Sequence, residues 1–216
     1  MTITPSNLGE FPDTGVVRRS WQAIAMFDSI VEPAAQARDF RFVSEWRNGA
    51  SYGYIDLRQG LCLRGALFAE TGIIWGYDVE SPLAGPSGHA IADAALAATG
   101  PIPSELRRYL TLREFDCGGA TYCIWRSAGD KTWRTLHVMY ESEEVSSHPL
   151  CFLDILSGHP EPLCCWAEEY FELSGADKTI DSLYRHVPLT ASIVREVNEQ
   201  RDLEDVMKQA QIIGYP

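Results

Sequence analysis

Nowhere in its 216 residues does the chain carry a run of the roughly 18 to 20 apolar residues that a membrane-spanning helix needs. The amino end, Met1-Thr-Ile-Thr-Pro-Ser-Asn-Leu-Gly-Glu10, has no basic stretch leading into an apolar one. A secretory leader is therefore not expected, and the compartment this implies is the cytoplasm. Positive charge is scarce too: 18 Lys and Arg against 30 Asp and Glu leave a net charge of -12. Nucleic acids and anionic membrane surfaces recruit clustered Lys and Arg, so neither is an expected partner. The phosphate-cradling Gly-x-x-x-x-Gly-Lys loop and the Gly-x-Gly-x-x-Gly turn are both missing, and no cofactor is expected. Cysteine is sparse and unpatterned. Cys62, Cys117, Cys123, Cys151, Cys164 and Cys165 make no compact disulfide framework, which leads us to expect buried thiols.

What the chain does have is the means to fold. Hydrophobic residues make up 45% of it, with 6 Trp, 9 Tyr and 8 Phe, so its acidity belongs to a body with a core. That acidity is unevenly spread along the sequence. Through Tyr140 there are 15 acidic and 13 basic residues; from Glu141 to Pro216 there are 15 acidic and 5 basic. A field of that kind attracts basic partners.

The patterning divides the same way. After a loose lead-in over residues 1–18, the apolar spacing of Trp21, Ile24, Ala25, Phe27 and Ile30 predicts a helix that Pro33 stops. Strand texture runs from Phe40 to Val79, with Leu61–Phe68 and Ile73–Val79 as a hairpin around Glu70-Thr71-Gly72. A Pro/Gly/Ser/Ala stretch occupies 81–103, with a short helix expected around Ile91–Ala98 and a Ser104-capped one over Glu105–Leu110. A second hairpin joins Thr121–Trp125 to Thr132–Tyr140 through Ser127-Ala-Gly-Asp130. From Leu163 onward apolar residues recur at spacings of three and four, interrupted by Pro188, with Thr190 and Asp202 as caps. The expected class is α+β, an antiparallel β-sheet with helices gathered at the C-terminal end. Residues 1–148 would form a mainly β body with an N-terminal helix. Residues 149–216 would form an acidic helical region packed on it, the whole making one compact domain.

Three groups of residues are candidates for chemistry. Asp78 and Glu80 lie two apart at the end of a predicted strand, which would aim both carboxylates from one face, and His89 on the following loop could join them. Such a pair suits acid–base work or a hard metal ion, and makes a metal-assisted hydrolase the catalytic reading. The plainer reading, and the favoured one, is solvated acids leading into the Ser81-Pro82 turn. His148, Cys151, His159, Cys164 and Cys165 are all zinc-ligand types, but no paired spacing is present. Cys164 and Cys165 would also point about 100° apart on a helix, so no metal is expected. Cys117, in the turn-like Asp116-Cys-Gly-Gly119, could expose a thiolate with His137 or His89 as base, and Ser87 lacks the Gly-x-Ser-x-Gly spacing; both read better as ordinary loop residues.

The acidic third offers a non-catalytic alternative. Glu141, Glu143 and Glu144 form one cluster, Glu168, Glu169 and Glu172 a second, and Asp202, Glu204 and Asp205 a third. Gathered on one face, they would hold a basic protein partner, as an immunity protein or an inhibitor of a toxin or nuclease does. The sequence also allows a structural or assembly role, with the helical end packed on a second copy as a homo-oligomer. We take the binding protein as the leading expectation.

Overall fold

Alternation of buried and half-buried side chains is clearest at Ser51–Leu57, where Ser51, Gly53, Ile55 and Leu57 turn inward while Tyr52, Tyr54 and Asp56 take the other face. This is β2 of a six-stranded antiparallel sheet whose strands follow one another in sequence order. The others are β1 (Phe40–Val43), β3 (Leu61–Leu67), β4 (Gly72–Asp78), β5 (Tyr122–Arg126) and β6 (Arg134–Thr135). The helices are α1 (Thr14–Val31), α2 (Ser104–Leu110), α3 (Glu161–Phe171), α4 (Asp177–Tyr184), α5 (Ala191–Val197) and α6 (Leu203–Ile213), the last four following the sheet. The class is α+β. The computed structural model describes residues 2–57, 60–84, 102–116, 119–135, 147, 149–150 and 152–216. The expected helix at 91–98 lies outside them, as do residues 136–140 of the second hairpin.

The chain packs as two units, each assembled from separate stretches: Met1–Gly15 with Gly53–Asp154, and Val16–Tyr52 with Ile155–Pro216. In the first unit, β3 and β4 form the expected hairpin, with Leu67 opposite Gly72 and Leu61 opposite Asp78. β4 pairs in turn with β5, and β5 with β6. Gly76 faces Tyr122 across the β4–β5 ladder, and a Cβ there would fall inside the Tyr122 phenol, so only glycine admits this close approach. Ile73, Ile74, Ile124 and Trp125 are fully buried or nearly so. Trp133 packs on Phe11 at 5.5 Å and donates its indole N–H to Pro12 O, which ties the lead-in to the sheet. The lead-in is therefore less loose than Pro5, Gly9 and Pro12 suggest; Pro5–Glu10 is a 3-10 segment, and α1 starts at Thr14.

The second unit is organised around α1. Trp21, Ile24, Phe27 and Ile30 are fully buried on it, and Trp21 keeps its indole N–H without a hydrogen-bond acceptor among the described residues. Polar side chains complete the helix ends. Asn198 donates to the carbonyls of Ile30 and Val31, and Arg201 to that of Ser29, so the link between α5 and α6 caps the negative end of α1. In return Gln22 of α1 donates to the carbonyls of Ile213 and Gly214 at the end of α6. Thr190 and Asp202 cap α5 and α6 as the sequence suggests. Ser104 does not cap α2; it is that helix's first residue, after Pro103.

Candidate functional site

Asp78 ends β4. Its backbone N–H donates to Thr121 Oγ1 at 3.0 Å, and its carboxylate accepts the Glu80 N–H at 2.9 Å. That second bond turns the chain, so Glu80 sits in a turn and not on the strand. Asp78 is buried and Glu80 exposed, which corrects the expectation that both carboxylates leave one strand face. The pairing rule of a strand holds only while the strand continues. His89 lies outside the described residues, as do Cys117, His137, His148 and Cys151. Among the described residues no group of three His, Cys, Asp or Glu side chains could hold a metal ion.

A polar constellation that the sequence did not single out lies one strand away. Arg64 on β3 is buried in a cleft of about 210 Å³ that Asp56, Tyr77 and Asp116 also line. Its guanidinium stacks 3.8 Å from the Tyr54 ring centre, donates to Ile55 O at 2.7 Å and to Leu63 O at 3.1 Å, and pairs with Asp56 at 3.0 Å. Tyr54 also donates its hydroxyl to that Asp56 carboxylate. An arginine in mid-strand could have flagged this group, because a charge there must bring its partners with it. In this arrangement Asp56 accepts from two neighbours and is held as a structural counter-ion.

The acidic clusters fare differently from one another. Glu141, Glu143 and Glu144 lie outside the described residues. Asp202, Glu204 and Asp205 are exposed at the start of α6 and serve it: the Asp202 carboxylate accepts the Glu204 N–H at 2.6 Å, and acids in the first turn oppose the helix dipole. Lys208 answers them from one turn on, reaching Asp205 at 2.8 Å and holding its carboxyl below the usual range. Glu168 and Glu169 stand on α3 and Glu172 follows it; all three are exposed, and no Lys or Arg lies between Glu161 and Glu172.

Around the helix, the outward face of α3 carries Glu161, Cys165, Glu168 and Glu169, while Leu163 and Ala167 are buried on the other. Trp166 and Tyr170 lie half-buried between the two faces and stack at 4.6 Å, with Phe40 edge-on to Trp166 at 4.7 Å. Glu172 holds the left-handed conformation that ends the helix, at φ 54°. Cys164 is partly covered and its thiol is pushed up to about 12 by burial and by nearby Asp177. Cys165 is exposed and Cys62 is disulfide-bonded, against the expectation of buried thiols. One depends on which helix face is outward, the other on a pairing that only the fold creates.

Folding also redistributes the charge. The unit containing α3 to α6 also takes in Val16–Tyr52, which supplies five arginines, so it holds 15 acidic and 10 basic residues. The other unit holds 15 acidic and 8 basic. The imbalance seen along the sequence is thus lost between the units, and the run of acids without a Lys or Arg on α3 is a local feature. No helix among the described residues is long and apolar enough to cross a membrane. No family model, no curated protein and no solved structure matches the chain.

Proposed function

We propose that this chain is a non-catalytic binding protein that holds a basic protein partner against α3, in the way an immunity protein or inhibitor covers a toxin or nuclease. The observation that carries the reading is the outward face of α3. It presents Glu161, Glu168 and Glu169, with Glu172 beyond, and no cation of its own. Carboxylates so placed speed the encounter with a basic surface, and the half-buried Trp166–Tyr170 stack beside them offers the flat aromatic area on which Lys and Arg stems pack. Glycine would hold the Glu172 backbone at lower cost, so the backbone alone gives no reason for a carboxylate there. Asp202, Glu204 and Asp205 contribute less, because Lys208 and the α6 amides already engage them.

The test is capture from an extract of the source organism by the whole protein and by a Glu168→Lys/Glu169→Lys/Glu172→Lys variant of unchanged melting temperature. A basic protein should be retained at low salt, released at high salt, and lost by the variant. Retention of the same protein by the variant, or of no basic protein by either, would overturn the reading. Light scattering of the pure protein distinguishes an assembly role, in which the mass would be a multiple of the 24.1 kDa chain.

A further inference from the structure

The second unit contains a cleft of about 210 Å³ beside β1 whose character is opposite to that of α3. Ala35, Val43 and Ile212 give it accessible apolar walls, backed by the buried Phe40 and Phe42 of β1, and Arg38 and Arg41 give it positive charge. Arg38 is only 8% exposed, an unusual place for a guanidinium, whose five N–H groups all need acceptors. Three have them: Nε donates to Glu32 O at 2.9 Å, Nη2 to Pro33 O at 3.0 Å and Nη1 to Gln209 Oε1 at 2.7 Å. Among the described residues one N–H on each terminal nitrogen is left over, on a side chain that lines the cleft.

The charges around Arg38 leave room for an anion. Arg41 and Arg201 add to its positive potential, while Asp28 and Glu32 oppose it. Of these charges Asp28 acts on Arg38 most strongly. Its carboxylate also accepts the Phe40 N–H at 2.8 Å, and burial above all pushes its pKa up to about 7, which weakens it as a counter-ion near neutral pH. We propose that the cleft binds a small apolar molecule bearing one carboxylate, with the carboxylate on Arg38 and the apolar body against Ala35, Val43 and Ile212. Size limits the ligand. The cleft matches about seven water molecules at roughly 30 Å³ each, enough for one phenyl ring or a branched chain of five or six carbons and too little for a long acyl tail.

The test uses the whole protein and phenylacetate as probe, followed by amide NMR shifts and by melting temperature. Phenylacetate should move the Phe40–Val43 and Ile212 amides and raise the melting temperature. Phenylacetamide, which lacks the charge, should bind about ten-fold more weakly, and phenethylamine should not bind. Arg38→Gln should abolish the preference for the carboxylate. Because Arg38 also holds the Glu32–Pro33 bend, a second variant is needed: Ile212→Glu, at a position 52% exposed, should keep the melting temperature and lose phenylacetate. Equal binding of phenylacetate and its amide, no binding at millimolar concentration, or full binding by the well-folded Ile212→Glu variant would each overturn the proposal.

Discussion

In the unit built from Met1–Gly15 and Gly53–Asp154, several carboxylates close on their own chain: Asp56 on Arg64 and Tyr54, Asp78 on the Glu80 amide, Asp130 on the Ser127 amide and on Arg134. In the unit containing α3, Asp28, Asp202 and Asp205 do likewise, but Glu168, Glu169 and Glu172 stand exposed, with no Lys or Arg on α3. Secondary structure explains the contrast. An α-helix satisfies its interior amides internally and leaves its side chains to the outside, whereas a hairpin sheds amides at every turn and takes nearby Asp side chains to satisfy them. An acidic residue in a turn of the first unit is therefore weak evidence of a partner, and one on α3 is stronger.

The largest effect that would break this contrast is expected at Arg64. Arg64→Ala should cost roughly 2–4 kcal/mol in urea denaturation, by stranding Asp56 and two strand carbonyls. The lower part of that range is favoured because the Asp56 side chain is 43% exposed and can recover water. Hydrogen exchange should place the loss in β2 and β3. A cost under about 0.5 kcal/mol would mean that the ion pair holds nothing together.

Next comes Asp28, the buried acid of the other unit. Its pKa is near 7 in the folded protein against an unperturbed 3.8. Between those values the folded state binds the extra proton, so stability should fall as pH rises from about 4 to 7, by at most about 1.4 kcal/mol per pH unit, and level off above. Asp28→Asn keeps an acceptor for the Phe40 N–H and should flatten this slope. Chemical denaturation across that pH window measures it, and an unchanged slope in the variant would assign it to another group. The smallest effect sharpens the contrast. Glu172→Gly should raise the melting temperature, by relieving about 1 kcal/mol of left-handed strain, while weakening capture of the partner. If both fell together, the carboxylate would belong to the fold.

Much of the architecture was legible because it rests on local periodicity. Alternation marked β1 to β5, turn chemistry marked both hairpins, and spacings of three and four marked α3 to α6. What escaped was decided at element ends or by distant residues. The two-residue alternation from Asp78 to Glu80 failed where the Asp78 side chain bent the chain. The start of α1 was hidden by Gly15, a residue that reads as a break, although the helix runs through it. Of the site on α3, the glutamates were legible, but which face they take and the stacking of Trp166 on Tyr170 follow from packing. Arg38 and Arg64 escaped entirely, since acceptors on Pro33, Gln209, Ile55 and Asp56 become neighbours only after folding.

The six tryptophans divide evenly between the units: Trp75, Trp125 and Trp133 in one, Trp21, Trp46 and Trp166 in the other. Fluorescence can therefore serve as a pair of local optical gauges. Trp21, wholly enclosed and with its indole N–H unanswered among the described residues, should emit at the blue limit of the spectrum, and a protein retaining it as its sole tryptophan would reveal by a red shift the moment water enters around α1. Trp166, half-exposed beside the glutamates, should instead change its emission when a second protein settles over it.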